Sequence, residues 1–233
     1  MSSSEKTVEA AAKVPTSDDT TLSAASAPTT QHVIDFLTTA RGLKTTLRTG
    51  WVRQQASPRI ESVADHSWRI ALMALLVGRD TASNVDATKL LQMALVHDLA
   101  ESVVGDITPY CGVSDKEKHQ QELQAMQQLT SPLGALGQVF LSLWQEYEQG
   151  TTPEAQMCKD LDKLEMILQA LEYEQDGTNK MSLDGFFDST RGKWRTVLGA
   201  NWGQAIEARR KRGNLKINND DFEEPSNKKQ RAT

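Results

Sequence analysis

An all-α fold is what this chain predicts, and three observations carry that reading. Apolar residues recur at spacings of three and four along several stretches. Those stretches open on capping residues and stop at glycine. Nowhere does an apolar/polar alternation of period two last long enough to make a strand. No internal repeat interrupts the pattern, so the expected architecture is a single bundle of about six or more helices.

Residues 1–28 are rich in Ser, Thr, Ala and charge and nearly free of large apolar side chains. They lack the surface to offset ordering entropy and are expected as a disordered arm. Val33, Ile34, Phe36, Leu37 and Ala40 then start a helical stripe that ends near Gly42. Arg48 to Pro58 has no helical period and holds Gly50 and Pro58 as breakers, which predicts a loop. The second helix opens on Ser62 with Asp65 three residues on, a capping box. It is apolar on most sides from Trp68 to Leu76, as a buried central helix would be.

Asp86 caps a third helix, expected to run to about Val104 and to stop at Gly105, with a loop through Asp106, Ile107, Thr108 and Pro109 after it. Ser114 with Glu117 opens a polar helix, Asp115 to Leu129, on which Lys116, Lys118 and His119 are expected in solvent. Pro132 opens the next, which carries Leu133, Leu136, Val139, Phe140, Leu143 and Trp144 and ends at Gly150. Thr152-Pro153-Glu154 combines a cap, a proline at the first position and an acid in the first turn. The long helix it opens is expected to bury Met157, Leu161, Leu164, Leu168 and Leu171, with Asp162 beside that stripe. Beyond Gly177, Phe186, Phe187, Trp194 and Trp202 mark a short helix or two. Residues 29–212 therefore form the expected domain, and 213–233 a disordered tail.

Composition narrows the function. At 233 residues, 38% hydrophobic and 24% charged, the chain is long enough for one sizeable core. No apolar run approaches the roughly 18 residues needed to cross a bilayer, which speaks against a membrane partner. The first stretch lacks a hydrophobic signal core, and Glu5, Glu9, Asp18 and Asp19 suit an Arg-rich transit peptide poorly. The expected compartment is the cytoplasm, with the nucleus second. A net charge of -5 argues against a nucleic-acid polymer, which needs a broad basic surface, but leaves room for a small anion held by an arginine or two. Cys111 and Cys158 stand far apart without a CxxC spacing, so neither a thiolate zinc site nor a disulfide framework is indicated.

One stretch calls for compensation. His97 and Asp98 stand side by side in an apolar run that includes Leu90, Leu91, Met93, Leu95 and Val96, where burial of unpartnered ionisable groups costs several kcal/mol. A divalent cation would compensate them, provided other helices complete the site. His66 from the second helix and Asp162 from the long late helix supply further candidate ligands, so four come from three helices. Glu101, at i+4 from His97 and i+3 from Asp98, can look into the same cleft.

The ordered pattern His66, then His97-Asp98, then Asp162 resembles the HD-domain phosphohydrolases, an all-helical superfamily that binds a divalent metal through those residue types in that order. The wider set is similar to the 5′-deoxynucleotidase branch: Arg48 and Trp51, Glu61 to His66, His97 to Glu101, and Gly105-Asp106, within a similarity spanning about residues 31 to 212. The resemblance implies an HD-domain helical bundle around a central metal, Mn, Co or Mg, and hydrolysis of deoxyribonucleoside 5′-monophosphates, a phosphoric monoester hydrolase activity. It further implies that Glu101 is catalytic, that Arg48 orients the phosphate, that Trp51 lies against the sugar and that Asp106 helps bind substrate. Bacterial members tend to have the Arg and Trp adjacent, whereas here Thr49 and Gly50 intervene. A homodimer is common among such relatives, and the late aromatics Phe186, Phe187, Trp194 and Trp202 suit either an interface or the core of one chain.

The chemistry agrees with the residues. Phosphomonoester hydrolysis needs an activated water, neutralised phosphate charge and a protonated leaving oxygen, and a metal supplies the first two. Glu101 is placed to manage the proton of the attacking water or of the leaving oxygen, and the sequence leaves that choice open. Glu101, Asp106 and the carbonyl of Ile107 offer oxygen only and would suit a second, harder ion such as Mg. The alternative is that Asp106 only caps the loop after Gly105. Two other functions compete: an HD-type hydrolase of another phosphoester, such as a cyclic nucleotide or an alarmone, and a catalytically idle nucleotide-binding module.

Overall fold

A computed structural model describes residues 27–77 and 84–212. The expected N-terminal arm, apart from its last residues, the expected C-terminal tail and the connection after the second predicted helix lie outside the described residues. The described residues form ten α-helices and no strand, with one isolated antiparallel bridge between Leu47 and Ser62. That bridge has a job. Val63 N–H donates to Thr46 O at 2.9 Å and Arg48 N–H to Glu61 O at 3.1 Å, so the chain leaves and returns at one point and the start of α3 (Val63–Val77) is tied to Arg48.

α3, α4 (Ala87–Val96) and α8 (Pro153–Asp176) form the centre, with α7 (Ala135–Gln149) closing one side. Ile70, Met73, Ala74, Leu90, Met93, Leu161 and Leu164 are all buried where these helices meet. α3 is less enclosed than its sequence predicts: Ile70, Ala74 and Val77 face the core while Trp68, Leu72, Leu75 and Leu76 are exposed. α8 opens as expected, with Thr152 Oγ1 accepting from Ala155 N–H and Pro153 at the first position. It closes on Gly177 in the left-handed region. A polar helix, α6 (Asp115–Thr130), begins with the full Ser114–Glu117 capping box, and α1 (Thr30–Ala40) packs near its end.

Three expected elements differ in detail. The predicted loop after Arg48 contains a six-residue helix, α2 (Thr49–Gln54), ended by Gln55 in the left-handed region. Its sequence carries no helical period because a distant anchor starts it: Thr49 N–H and Oγ1–H donate to Asp106 Oδ2 and Asp106 O at 2.6 and 2.7 Å. The predicted single helix from Asp86 to Val104 breaks. α4 stops at Val96, residues 97–100 turn with the tighter i to i−3 bonding seen in Leu99 N–H to Val96 O and Glu101 N–H to Asp98 O, and α5 (Glu101–Val104) follows. Apolar spacing alone does not distinguish i−3 from i−4 bonding. Pro132, third, sits in a 3₁₀ turn (Ser131–Leu133), and α7 starts only after Gly134.

The late aromatics close the core of the single chain. On α9 (Asp184–Thr190), Phe187 is buried in a cluster with Trp51, Ile167, Leu171 and Leu183, and Phe186 packs against it. Trp194 and Trp202 are partly buried against the main core. α10 (Val197–Lys211) is docked onto α8 by Asp160, which is wholly buried and accepts from Arg195 N–H, Thr196 N–H and Thr196 Oγ1–H at 2.8 to 3.0 Å. The same carboxylate crowds residue 199, where any Cβ would collide with it, so only glycine fits there. Asp160→Ala should therefore lower the unfolding free energy by about 3 kcal/mol, the range for hydrogen bonds to a charged group. Urea denaturation measures this; a loss under about 1 kcal/mol would show that α10 docks by packing alone.

Candidate metal centre and adjoining cleft

His66 sits in the first turn of α3, a turn fixed by the reciprocal cap in which Ser62 N–H donates to Asp65 Oδ2 at 2.9 Å and Asp65 N–H to Ser62 Oγ at 3.2 Å. His97 is the residue that ends α4, Asp98 stands in the tightened turn after it, and Asp162 lies in the third turn of α8. These separate elements bring four donor groups together. His66 Nε2 lies 3.2 Å from Asp162 Oδ1 and 3.6 Å from Asp98 Oδ2, and His97 Nε2 lies 3.2 Å from Asp98 Oδ2.

Hydrogen bonds fix the tautomers. His66 Nδ1–H donates to Glu165 Oε2 at 2.5 Å and His97 Nδ1–H to Ala94 O at 2.9 Å, which leaves an Nε2 lone pair on each neutral ring pointing at the carboxylates. Lone pairs facing lone pairs repel unless a cation lies among them. His66 Nε2, His97 Nε2 and Asp98 Oδ2 are buried and make no hydrogen bond, which is costly for polar atoms out of water. The donor set, two imidazole nitrogens and two carboxylate oxygens, fits a divalent transition ion, and His66, His97 and Asp98 by themselves form a compact ligand group.

Ionisation shows the same demand for positive charge. With no ion among the donors a proton takes its place: burial and Arg48 disfavour a charged His66, yet Glu165 and Asp162 outweigh them and lift it to about 10, so the neutral ring with a free Nε2 lone pair is the form a bound cation would select. Burial likewise opposes ionised Asp98 and Asp162, but the histidines and Arg48 hold both well below the usual carboxylate range. Glu101 goes the other way: burial, then Asp98 and Asp106, push its carboxyl well above the usual range. Its Oε2 is buried without a partner on the wall of the same cleft.

The remaining expected residues are placed as follows. Arg48 lies at the mouth of the cluster with Nη1 3.6 Å from Asp98 Oδ2. Burial works against its charge, but Asp98, Asp162, Asp106 and Glu101 keep the guanidinium protonated. Asp106 and Ile107 line the cleft with Glu101, and one oxygen of Asp106 is engaged by the start of α2, so that carboxylate also fixes the helix that Arg48 precedes. Trp51 is only 1% exposed. Its Nε1–H donates to Glu61 Oε1 at 2.7 Å, and Phe186 is laid beside its ring at 4.0 Å between centroids, so it forms the inner wall of an adjoining cavity.

Four contributors went unread in the sequence. Glu165 orients His66, and Arg69 holds Glu165 in turn, its Nε and Nη2 donating to Oε1 at 2.9 and 2.7 Å. The signal was there: His66 and Arg69 are three apart on α3, as Asp162 and Glu165 are on α8, so the two pairs can meet face to face. Tyr147 O–H donates to Asp162 Oδ2 at 3.0 Å. Lys118, expected in solvent, instead turns into the cleft beside Glu122. His119 is exposed but stacks on Trp144.

Residues 40–202 match the HD domain profile. A 5′-deoxynucleotidase HDDC2 of Dictyostelium discoideum is 44% identical over 190 residues, 77% of this chain and 99% of that protein. The Homo sapiens 5′-deoxynucleotidase HDDC2 is 42% identical over 165 residues, 70% of this chain and 79% of its own. Among solved structures, a predicted metal-dependent phosphohydrolase from Magnetospirillum magnetotacticum MS-1 superposes with a TM-score of 0.60 at 26% identity, covering 78% of this chain and 92% of that one.

Because Glu165 bonds the Nδ1 side of His66, away from the Nε2 that faces Asp98 and Asp162, its replacement would test the orientation of a candidate ligand rather than its presence. Glu165→Ala should weaken divalent-ion affinity by about 10- to 100-fold while leaving all four donor residues in place. Titration of the metal-free protein with Mn or Co by calorimetry reads this directly, and an unchanged affinity would show that Glu165 is needed only for packing.

Proposed function

The chain belongs to the HD-domain family, and from that membership we infer a metal-dependent 5′-deoxynucleotidase that hydrolyses deoxyribonucleoside 5′-monophosphates to deoxyribonucleoside and phosphate. The observation that carries the chemistry is the convergence of buried, unpartnered donor atoms beside a charged arginine at the edge of a cleft of about 420 Å³. His66, His97, Asp98 and Asp162 would hold the ion, and imidazole among the donors favours Mn or Co over Mg at that position. When bound, the ion neutralises phosphate charge and makes water acidic enough to attack near neutral pH.

The chain's own residues supply the rest. Arg48, already within reach of Asp98, pairs with a phosphate oxygen and sets the in-line orientation of the group. Glu101 Oε2 faces the cleft without a partner and serves one of the two reacting oxygens, which lie on opposite sides of phosphorus: it either gives its proton to the 5′ oxygen as the P–O bond breaks or, ionised, takes the proton that the attacking water loses. Glu101, Asp106 and Ile107 all line the cleft, and their oxygens are the donors a second, harder ion would use, in which case Glu101 would be a ligand in place of a proton donor.

Phosphate release from dAMP, AMP and a cyclic nucleotide, assayed in parallel, tests the reading. Chelation should abolish turnover of dAMP and added Mn or Co should restore it, with AMP and the cyclic nucleotide cleaved poorly. A preference for the cyclic nucleotide would overturn the substrate class, and elemental analysis of the reloaded protein counts one ion or two per chain. In the same assay Glu101→Gln keeps shape and hydrogen-bonding reach but loses the titrating proton. It should retain tight metal and lower kcat at least about 100-fold, within the general acid-base range. Turnover above about a tenth of the parent rate would move the proton step to another group.

A further inference from the structure

Beside the metal cleft, and sharing Arg48, Asp106, Thr108 and Met166 with it, lies a second cavity of about 280 Å³. Its character is different. The metal cleft is walled by carboxylates and lysines, whereas this cavity is bordered by Trp51, Phe186, Tyr110 and Met166, and its surface is mainly apolar although Arg48, Arg53, Gln54 and Asp106 also reach it. A pocket that is mostly apolar and opens from a charged catalytic cleft fits a ligand with a charged end and a flat, weakly hydrated end.

Its two free aromatic rings are held in contrasting ways. Phe186 is fixed: it lies against Trp51, and Gly50 leaves room for it, since a Cβ at residue 50 would come within 3.3 Å of the Phe186 ring. A side chain at residue 50 would crowd that ring, and one short helix joins the phosphate-orienting arginine to the cavity wall. Tyr110 is 70% exposed, on a 3₁₀ turn (Pro109–Cys111), and its ring is covered by the Arg53 guanidinium at 4.9 Å. The core does not require a large aromatic there, yet it stands at the rim of an aromatic-lined cavity, restrained by a cation that leaves it adjustable.

We propose that this cavity receives the nucleobase of the substrate, which lies on the fixed ring of Phe186 and takes Tyr110 as its second aromatic contact. The proposal rests on the nucleotidase reading: with the phosphate at Arg48, the nucleoside passes into the space that shares Arg48 with the cleft. Aromatic stacking reads the flat face that every base has, so it adds affinity without a base-specific hydrogen-bond pattern. Purines, with more ring area, gain more from it than pyrimidines.

The test compares dAMP with 2-deoxyribose 5-phosphate, which has the same phosphate and sugar but no base. In the metal-loaded protein, Tyr110→Ala should reduce kcat/KM for dAMP by about tenfold, mainly through KM, and shrink the advantage of dAMP over the baseless substrate by a similar factor. Tyr110→Phe should restore that advantage, because it keeps the ring and drops only the hydroxyl. Phe186→Leu provides a second arm, with its melting curve reporting on the fold. If neither Tyr110→Ala nor Phe186→Leu changes the ratio between the two substrates, the base lies elsewhere and the proposal is overturned. If the parent protein cleaves neither substrate, the nucleotidase reading falls and the base site with it.

Discussion

Everything near the centre of this protein answers one electrostatic problem: two imidazole lone pairs and two carboxylates point at a single small buried volume. Such a cluster is intolerable in a low-dielectric interior unless positive charge is placed within it. The surrounding structure keeps it in that state. Glu165 and the Ala94 carbonyl prevent the rings from flipping their protons inward, Arg69 anchors Glu165, and Tyr147 fixes one oxygen of Asp162. The folding of α3, α4 and α8 against one another therefore also assembles the cluster of candidate ligands, since each contributes at least one donor group that the others cannot replace.

Much of this was legible from sequence, and what was legible has a common physical basis. Local rules fix helix starts: the Ser62–Asp65 and Ser114–Glu117 boxes and Thr152-Pro153 act within four residues, and each is found where expected. The donor set was legible because histidine next to aspartate inside an apolar run is costly without a partner. What escaped depends on contacts between distant segments. α2 exists because Asp106 caps it from 57 residues away, and the turn at residues 97–100 trades one hydrogen-bonding period for another without disturbing the apolar spacing. Lys118 reads as a solvent-facing lysine on a polar helix until the neighbouring helices bring a cluster of acids up to it.

Charge also explains why the cleft has a cationic rim. A phosphate dianion approaching Asp98, Asp162, Glu101 and Asp106 meets strong repulsion, and Arg48 together with one divalent ion offsets only part of it. Lys118, Lys159 and Lys163 line the same cleft. These half-buried lysines raise the local concentration of anionic ligands around a focused cleft, an effect that weakens as ionic strength rises.

The antiparallel bridge at Leu47 and Ser62 has a consequence for how the sequence can change length. It cinches the neck of the excursion that contains α2, so Arg48 and the first turn of α3 are held together whatever the far end of the excursion does. Ser57, Pro58 and Arg59 lie outside α2, on the stretch that returns to the bridge. Extra residues grafted there would lengthen a loop whose ends are already joined, at roughly 0.6 kcal/mol for each doubling of loop length. The spacing between arginine and histidine along the chain is thus free to drift, while their separation in space is not.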